Sequence, residues 1–213
     1  TKRWSAPSKK MGETTNNRAS GNGENLEELD DNVLARMCQE ELPHKLDAYQ
    51  ELLRRHESLV FNTCLKMNRS YEDAQEVCQD AFLQVFHKVK QFEGRAAFKT
   101  WLFRIVYNLC IRRRETISKR AFKENAAGNE VASDIHAKEL ATPHVEELSE
   151  GVHEALNRLD ENQRQILILK YITGLSLQEI SEVLEIKLSA TKMRLYRALD
   201  KFKETYNNLN KLR

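Results

Sequence analysis

The chain has 213 residues and a formal net charge of +2; 40% of its residues are hydrophobic and 31% are charged, so it is more polar than an average globular protein. No stretch approaches the roughly 20 apolar residues of a membrane span, and residues 1–25 hold no apolar segment of the kind that a secretory signal needs. These features predict a cytoplasmic protein with no membrane insertion, and composition excludes collagen, coiled-coil arrays and disulfide scaffolds.

Charge is distributed unevenly along the chain. Residues 95–123 hold nine Lys or Arg and one acid, residues 124–161 hold two Lys or Arg and ten acids, and residues 187–203 hold six Lys or Arg and one acid. Two basic blocks separated by an acidic one indicate two separate contacts with a polyanion.

The pattern of apolar residues predicts an all-α chain with two small helical domains. Residues 1–25 are polar and predicted to be disordered. Residues 26–114 form the first helical domain, which includes an apolar face from Ala74 to Val89 and a helix from about Thr100 to Arg114. Residues 115–145 are polar and contain Gly128, so we expect a flexible linker with at most short helices.

A second helical domain is predicted over residues 146–207. Asp160 and Ser176 each precede Gln or Glu by three residues, which is the pattern of a capped helix start. The helix begun at Ser176 ends near Leu184, and a basic helix starts near Leu188 after a tight turn, as in a helix-turn-helix.

Three surfaces stand out as candidate binding sites. The basic helix carries an outward stripe suited to a DNA major groove, formed by Lys192, Met193, Tyr196 and Arg197. The helix at 73–90 bears acids around an outward Leu83, which would suit a basic protein partner. In 92–114 we expect outward rings at Phe103 and Tyr107 among cations, a combination that suits single-stranded nucleic acid. Each also has an ordinary interpretation: a solvated helix face for the first two, and packing against a neighbouring helix for the rings.

Nothing in the spacing of residues indicates an enzyme. No catalytic set, metal site, nucleotide-binding loop or cofactor motif is readable, so no small-molecule substrate is expected. The four cysteines form no CxxC pair and are read as reduced, mostly buried hydrophobic residues.

The two helical domains resemble a known family. The stretches 49–56 and 73–82, together with the F-x-x-W-L-x-R-I-x-x-N pattern from Phe98 to Asn108, resemble region 2 of bacterial extracytoplasmic-function (ECF, group 4) sigma factors of the sigma-70 family. Residues 152–203 resemble region 4 of the same family.

The resemblance implies a subunit that binds core RNA polymerase and directs transcription from chosen promoters, in a stress or envelope response. It implies docking on the β′ clamp helices by Asp73, Glu76, Gln79, Asp80 and Leu83. It implies contact with the minus-10 element, including a flipped base, by Phe92, Arg95, Phe98, Lys99, Trp101, Arg104, Asn108 and Arg112. It implies reading of the minus-35 duplex by Ser189, Lys192, Met193, Arg194, Tyr196 and Arg197.

Further partners follow from the same resemblance. They are the polymerase β flap, promoter DNA in both double- and single-stranded form, and an anti-sigma protein that in some members holds the sigma factor at the inner membrane. An active member is associated with the nucleoid.

The sequence also departs from the family pattern. Met193 replaces a small polar residue of the recognition helix, and Ala96 and Ala97 replace a common Ser-Ser pair. Glu185 stands where the family usually has a turn glycine, so the turn needs a right-handed conformation or strain.

Two other functions stay open on the residues alone. A stand-alone helix-turn-helix regulator would bind duplex DNA without polymerase. An α-helical enzyme or metal sensor would bring Cys, His and other polar residues together in a deep pocket.

Overall fold

The computed structural model describes residues 25–126 and 150–211, and all regular structure in these two ranges is helical. This confirms the predicted all-α fold. Apart from Asn25, the predicted tail lies outside the described residues, as does most of the predicted linker. The α-helices are α1 Asp31–Glu41, α2 Asp47–Asn68, α3 Tyr71–Lys88, α4 Phe98–Ala126, α5 Glu150–Asn157, α6 Glu161–Leu167, α7 Leu177–Val183 and α8 Leu188–Lys211. None of the described helices is long and apolar enough to cross a bilayer.

Helices α1–α4 form the first domain around one apolar core. α2 packs along α3, α3 packs along α4, and α1 lies against α2. The apolar face predicted for α3 is confirmed, because all its small residues from Ala74 to Val85 point into this core. Leu52 and Val60 of α2 and Val106 of α4 fill the opposite side and are fully buried.

Arg55 of α2 fastens the start of the described chain to the first domain. Its guanidinium donates to the backbone carbonyl of Leu29 at 2.7 Å and to that of Leu26 at 2.8 Å. It also pairs with the carboxylates of Asp31 at 2.9 Å and Glu51 at 2.7 Å. One planar, five-donor group therefore satisfies both an irregular backbone segment and two acids.

Helix α4 is longer than the sequence analysis predicted. It continues through residues 115–126, which the sequence pattern assigns to the linker, instead of ending near Arg114. The physical reason is composition: these residues include Glu, Lys, Arg and Ala, which favour helix, and the first residue that strongly disfavours it is Gly128.

Helices α5–α8 form the second domain, and its helix-turn-helix is confirmed. Asp160 caps α6 by accepting from the backbone N–H of Gln163 at 2.9 Å. Ser176 and Glu179 form the full capping box of α7, with hydrogen bonds of 2.8 and 3.2 Å. A π-helical turn, Ile168–Ile172, follows α6 and ends before Gly174, whose φ of +71° suits glycine.

The four cysteines behave as the sequence predicted. Cys38, Cys64, Cys78 and Cys110 are free thiols, and all four are buried. Burial raises the pKa of the Cys38 and Cys78 thiols to about 12. At neutral pH both are protonated, small, apolar members of the core.

Candidate nucleic-acid interface

The basic face predicted on α8 lies on the surface of the second domain. Thr191, Leu195 and Ala198 are buried against the other helices, which fixes the rotation of α8 about its axis. The opposite face therefore points into solvent, with Met193 54% and Tyr196 63% exposed. The other exposed members of the predicted set are Ser189, Lys192 and Arg197.

Arg194 is the exception within this set. It is half-buried, and its guanidinium donates to the side-chain oxygen of Asn162 on α6 at 2.8 Å. In the free protein Arg194 thus braces α8 against α6, while its neighbours on the stripe stay available to a ligand.

A second polar face runs along the first half of α4. Arg104, Asn108 and Arg112 are all exposed and follow one another at four-residue spacing, which places them on one side of the helix. Lys99 is half-buried and lies on another side of the helix, five residues before Arg104. The stripe combines two cations with an amide, and this combination can contact both phosphates and base edges.

The loop at 92–98, which precedes α4, is held in place by α1. Gln39 donates to the backbone carbonyl of Val89 at 2.9 Å and to that of Phe92, and Asn32 accepts from the Phe98 N–H at 2.7 Å. Gly94 has a φ of +71°, which allows the sharp turn at the tip. Beside it, Arg95 is exposed and pairs with Glu93 at 2.6 Å.

The aromatic residues of this segment are less accessible than the sequence predicted. Phe92 and Phe98 are 6% and 1% exposed, and their rings meet that of half-buried Trp101 at centroid distances of 5.4 and 5.8 Å. Neither phenylalanine offers a free stacking face in this structure. Their rings form the floor under the loop, so the expectation that they contact a base directly needs correction.

The prediction of an outward Phe103 was wrong, because this ring is fully buried. α4 packs against α2 and α3 on one side and against α7 on another, so it has two buried faces. Tyr107, one turn later, is half-buried, and its hydroxyl donates to Gln165 Oε1 at 3.1 Å. Burial raises the pKa of Tyr107, which therefore stays protonated as a donor at neutral pH.

The acidic face predicted on α3 is present, but an internal cation occupies part of it. Asp73 and Glu76 each pair with the guanidinium of Arg113 on α4, both at 2.6 Å. Farther along the helix Asp80 and Gln79 are exposed, and so is Leu83, half of whose surface is open.

Three acids of the second domain contact α4, and one of them reaches its cationic face. Glu185, in the turn before α8, pairs with Arg104, and Glu161 pairs with Arg114. Glu179 Oε1 accepts from the Thr100 hydroxyl at 2.8 Å. In this arrangement carboxylates of the second domain neutralise two cations of α4.

A buried arginine completes the contact between the two domains. Arg164 is 2% exposed, pairs with Glu161 at 2.7 Å, and donates to the backbone carbonyl of Met67 at 3.2 Å. From the other side, Arg69 donates to the carbonyl of Asn157 at 2.9 Å. The sequence analysis assigned no role to Arg164. Its position directly before the apolar run 166–169 was the feature that could have indicated a buried cation.

Comparison with known proteins places both domains in one family. The sequence model described as Sigma-70 region 2 matches residues 52–120, and that described as Sigma-70, region 4 matches residues 149–202. Together they cover more than half of the chain.

Curated relatives share both parts. The ECF RNA polymerase sigma factor SigW of Bacillus subtilis is 28% identical over 171 residues, which is 76% of this chain and 91% of that protein. The ECF RNA polymerase sigma-E factor of Haemophilus influenzae is 27% identical over 160 residues, which is 71% of this chain and 83% of that protein.

Solved structures support the fold. CnrH, in complex with the cytosolic domain of CnrY, has a TM-score of 0.61 and 23% identity, covering 84% of this chain and 97% of CnrH. The sigma factor RpoE of Bartonella quintana, in complex with the anti-sigma factor NepR, has a TM-score of 0.60 and 21% identity, covering 75% and 96%. The matches to both sequence models and to the curated relatives show that the chain belongs to the sigma-70 family of RNA polymerase sigma factors, and within it to the ECF type.

Proposed function

We propose that this chain is the promoter-specificity subunit of RNA polymerase, contacts promoter DNA at two sites and supplies no reaction of its own. The observation that carries the proposal is the pairing of two exposed cationic helix faces, one on each domain, with family matches over both domains.

The exposed face of α8 is the proposed reader of the minus-35 duplex. Lys192 and Arg197 offer charged donors for guanine edges and phosphates, and Met193 and Tyr196 offer apolar contact with a thymine methyl group. Arg194 would join them by releasing Asn162. Ser189, at the start of the helix, is placed for a phosphate.

The minus-10 contact is proposed for the loop at 92–98 and the first half of α4. Arg95, Lys99, Arg104, Asn108 and Arg112 would hold the strand through phosphates and base edges. Phe92, Phe98 and Trp101 would act from below, because their packed rings give the loop a fixed shape against which an unstacked base can lie.

Polymerase docking is proposed for α3. Gln79, Asp80 and Leu83 present an exposed patch with an acid and an apolar centre, which suits a basic helical partner such as the β′ clamp helices. Asp73 and Glu76 would contribute as well, in exchange for their pairs with Arg113. The β flap is the proposed partner of the second domain.

The two domains must separate on a promoter. The minus-10 and minus-35 elements lie about 25 base pairs apart, or about 85 Å of duplex, whereas Arg104 and Glu185 of the two domains are in direct contact. Residues 127–149 join them, and a chain of that length can extend to about 80 Å. The contact between the domains thus belongs to the free protein. Residues 127–149 are long enough to join the two domains when they are separated on a promoter.

Regulation and location follow from the same proposal. Since two structural neighbours were solved with CnrY and with the anti-sigma factor NepR, we infer that an anti-sigma protein controls this chain too, in a stress or envelope response. Its place of action is then the cytoplasm, on nucleoid DNA when active and at the inner membrane where such a partner holds it.

The test is a pull-down of purified bacterial core polymerase, followed by run-off transcription on a pool of genomic promoters. We expect stable binding and new start sites that share two sequence elements. Specific duplex binding by the chain alone, with no polymerase bound, would instead identify a stand-alone helix-turn-helix regulator.

A further inference from the structure

One face of α1 holds both ends of the loop at 92–98. Gln39 and Asn32 are about two helical turns apart, so their side chains leave α1 on the same side, separated by a rise of about 10 Å. Gln39 reaches the start of the loop and Asn32 reaches its end. Between these anchors residues 93–97 are exposed, except for half-buried Ala96. The span of the loop therefore depends on α1 more than on packing of its own side chains.

Gln39 anchors the start of the loop with both hydrogens of its amide. Its Nε2 atom donates to the backbone carbonyl of Val89 at 2.9 Å and to that of Phe92. Val89 is fully buried and Phe92 nearly so, which leaves little room for water to replace the amide. An amide nitrogen carries two hydrogens, whereas a carboxylate of the same shape carries none at neutral pH.

Asn32 anchors the end of the loop by capping α4 from outside that helix. Its Oδ1 accepts from the backbone N–H of Phe98, the first residue of α4, at 2.7 Å. The first N–H groups of a helix have no partner within the helix, and the preceding side chain often caps one of them. Here the preceding residue is Ala97, which has no side-chain oxygen. The cap is therefore supplied by α1.

α1 is itself firmly fixed in the first domain. Its apolar side is buried through Leu34, Ala35 and Cys38. Asp31, directly before Asn32, pairs with Arg55 at 2.9 Å, and its Oδ2 lies 2.7 Å from Nε2 of buried His56. The His56 ring lies 5.7 Å from the ring of Phe98. The start of α1 and the floor of the loop are thus held by the same part of α2.

We propose that Asn32 and Gln39 are positioning residues for the minus-10 contact. They act through the loop, whose ends they hold at the separation at which an unstacked base lies against it. A loop that is already in its binding shape loses little conformational freedom when DNA arrives, so its contacts contribute more to affinity. The inference rests on the proposed function, because that function assigns the unstacked base to the loop at 92–98.

The experiment isolates the contribution of the bases to minus-10 binding. Holoenzyme is assembled from core polymerase and the full chain, and anisotropy measures its affinity for two fluorescent single-stranded DNAs. The first carries a minus-10 segment found by run-off transcription. The second has the same sugars and phosphates but abasic sites throughout that segment. The ratio of the two affinities reports base contacts, because phosphate contacts are common to both DNAs.

The same chemical change, an amide replaced by a carboxylate, should have opposite effects at the two positions. Asn32→Asp keeps the oxygen that accepts from Phe98 and should retain the ratio of the unaltered chain. Gln39→Glu loses both donors and should lower the ratio by about fivefold or more. Each variant adds one negative charge to the same face of α1, so both should bind the abasic DNA equally. The pair thereby controls for electrostatic repulsion of DNA.

Two further variants separate positioning from stability. Asn32→Ala removes the cap and should also lower the ratio; it keeps the test decisive if urea unfolding shows that Gln39→Glu does not fold. Val77→Ala is the matched control, because Val77 is buried in α3 more than three turns before Val89. It should lower the free energy of unfolding and leave the ratio unchanged.

Three results would overturn the inference. The first is an unchanged ratio in Asn32→Ala. The second is an equal loss in Asn32→Asp and Asn32→Ala, which would show that the accepting oxygen is not what positions the loop. The third is an equal loss in Val77→Ala, which would show that reduced stability explains the effect. Failure of the proposed function is distinct, because the unaltered holoenzyme would then bind both DNAs equally or bind neither.

Discussion

Arg104 of α4 and Glu185 of the turn before α8 form an ion pair that joins the two surfaces proposed to contact DNA. While Arg104 holds this carboxylate, the negative charge of Glu185 would repel a phosphate that approached the same guanidinium. The same turn leads into α8, so the pair links the position of the proposed minus-35 helix to access to the proposed minus-10 face. In the free protein, therefore, the proposed minus-35 face is exposed, whereas the proposed minus-10 face is partly covered by one carboxylate.

Removing the carboxylate should open the covered face. Because both side chains are about half exposed or more, the pair contributes only about 0.2–1 kcal/mol. We therefore expect Glu185→Gln to increase binding of single-stranded minus-10 DNA by the free chain by up to about fivefold. The measurement is anisotropy, with Glu182→Gln, an exposed acid of α7, as the control. An equal gain in the control would point to a general charge effect.

The backbone of Glu185 is also strained, and a second substitution measures the energetic cost of that strain separately from the ion pair. Its φ is +54°, in the left-handed region that costs a residue with a Cβ about 1–2 kcal/mol and glycine almost nothing. Both Glu185→Gly and Glu185→Gln lack the ion pair, so comparing them removes that contribution. Glu185→Gly should unfold in urea with a free energy about 1 kcal/mol higher than that of Glu185→Gln. If the two were equally stable, the turn would be unstrained.

The minus-35 assignment predicts a specific loss at Arg197. This side chain is exposed on the outward stripe of α8. Arg197→Ala should cost about 1–3 kcal/mol of binding to a promoter duplex and relax the preference at one base pair. Competition with duplexes altered at single positions measures both effects. A uniform loss across all duplexes would show that Arg197 contacts phosphate and reads no base.

The docking assignment predicts that reversing one charge on α3 blocks assembly with polymerase. Asp80 is exposed beside Leu83, and Asp80→Arg would place a cation where the basic partner binds, so like charges would repel. We expect core polymerase to be lost from a pull-down, while duplex binding by α8 stays unchanged. Gln75→Arg, on another side of the same helix, should retain polymerase. Retention by Asp80→Arg would place the docking surface elsewhere.

The sequence predicted well those features that depend only on residues close together in the chain. The capping box of Ser176 and Glu179 and the spacing to Leu188 depend on neighbouring residues, so the helix-turn-helix could be identified without tertiary information. Phe103 could not be placed this way, because α4 has a second buried side where it packs against α7, whose first residue lies more than 70 positions farther along the chain. Glu185 was recognised only as an unusual turn residue, since its pair with Arg104 exists only once the two domains meet.

The Glu51 carboxylate predicts how the first domain responds to acid. Hydrogen bonds from Arg54 and, in addition, Arg55 lower its pKa from the ordinary 4.5 to about 2. A carboxyl with a lowered pKa in the folded state stabilises the protein above its unfolded pKa, and this stability is lost as pH falls from about 4.5 to about 2. Glu51→Gln should thus be less stable at pH 7 and show a shallower fall in unfolding free energy over that range. Urea titrations at several pH values measure this, with exposed Glu57→Gln as the control; equal slopes for Glu51→Gln and the unaltered chain would contradict the pairing.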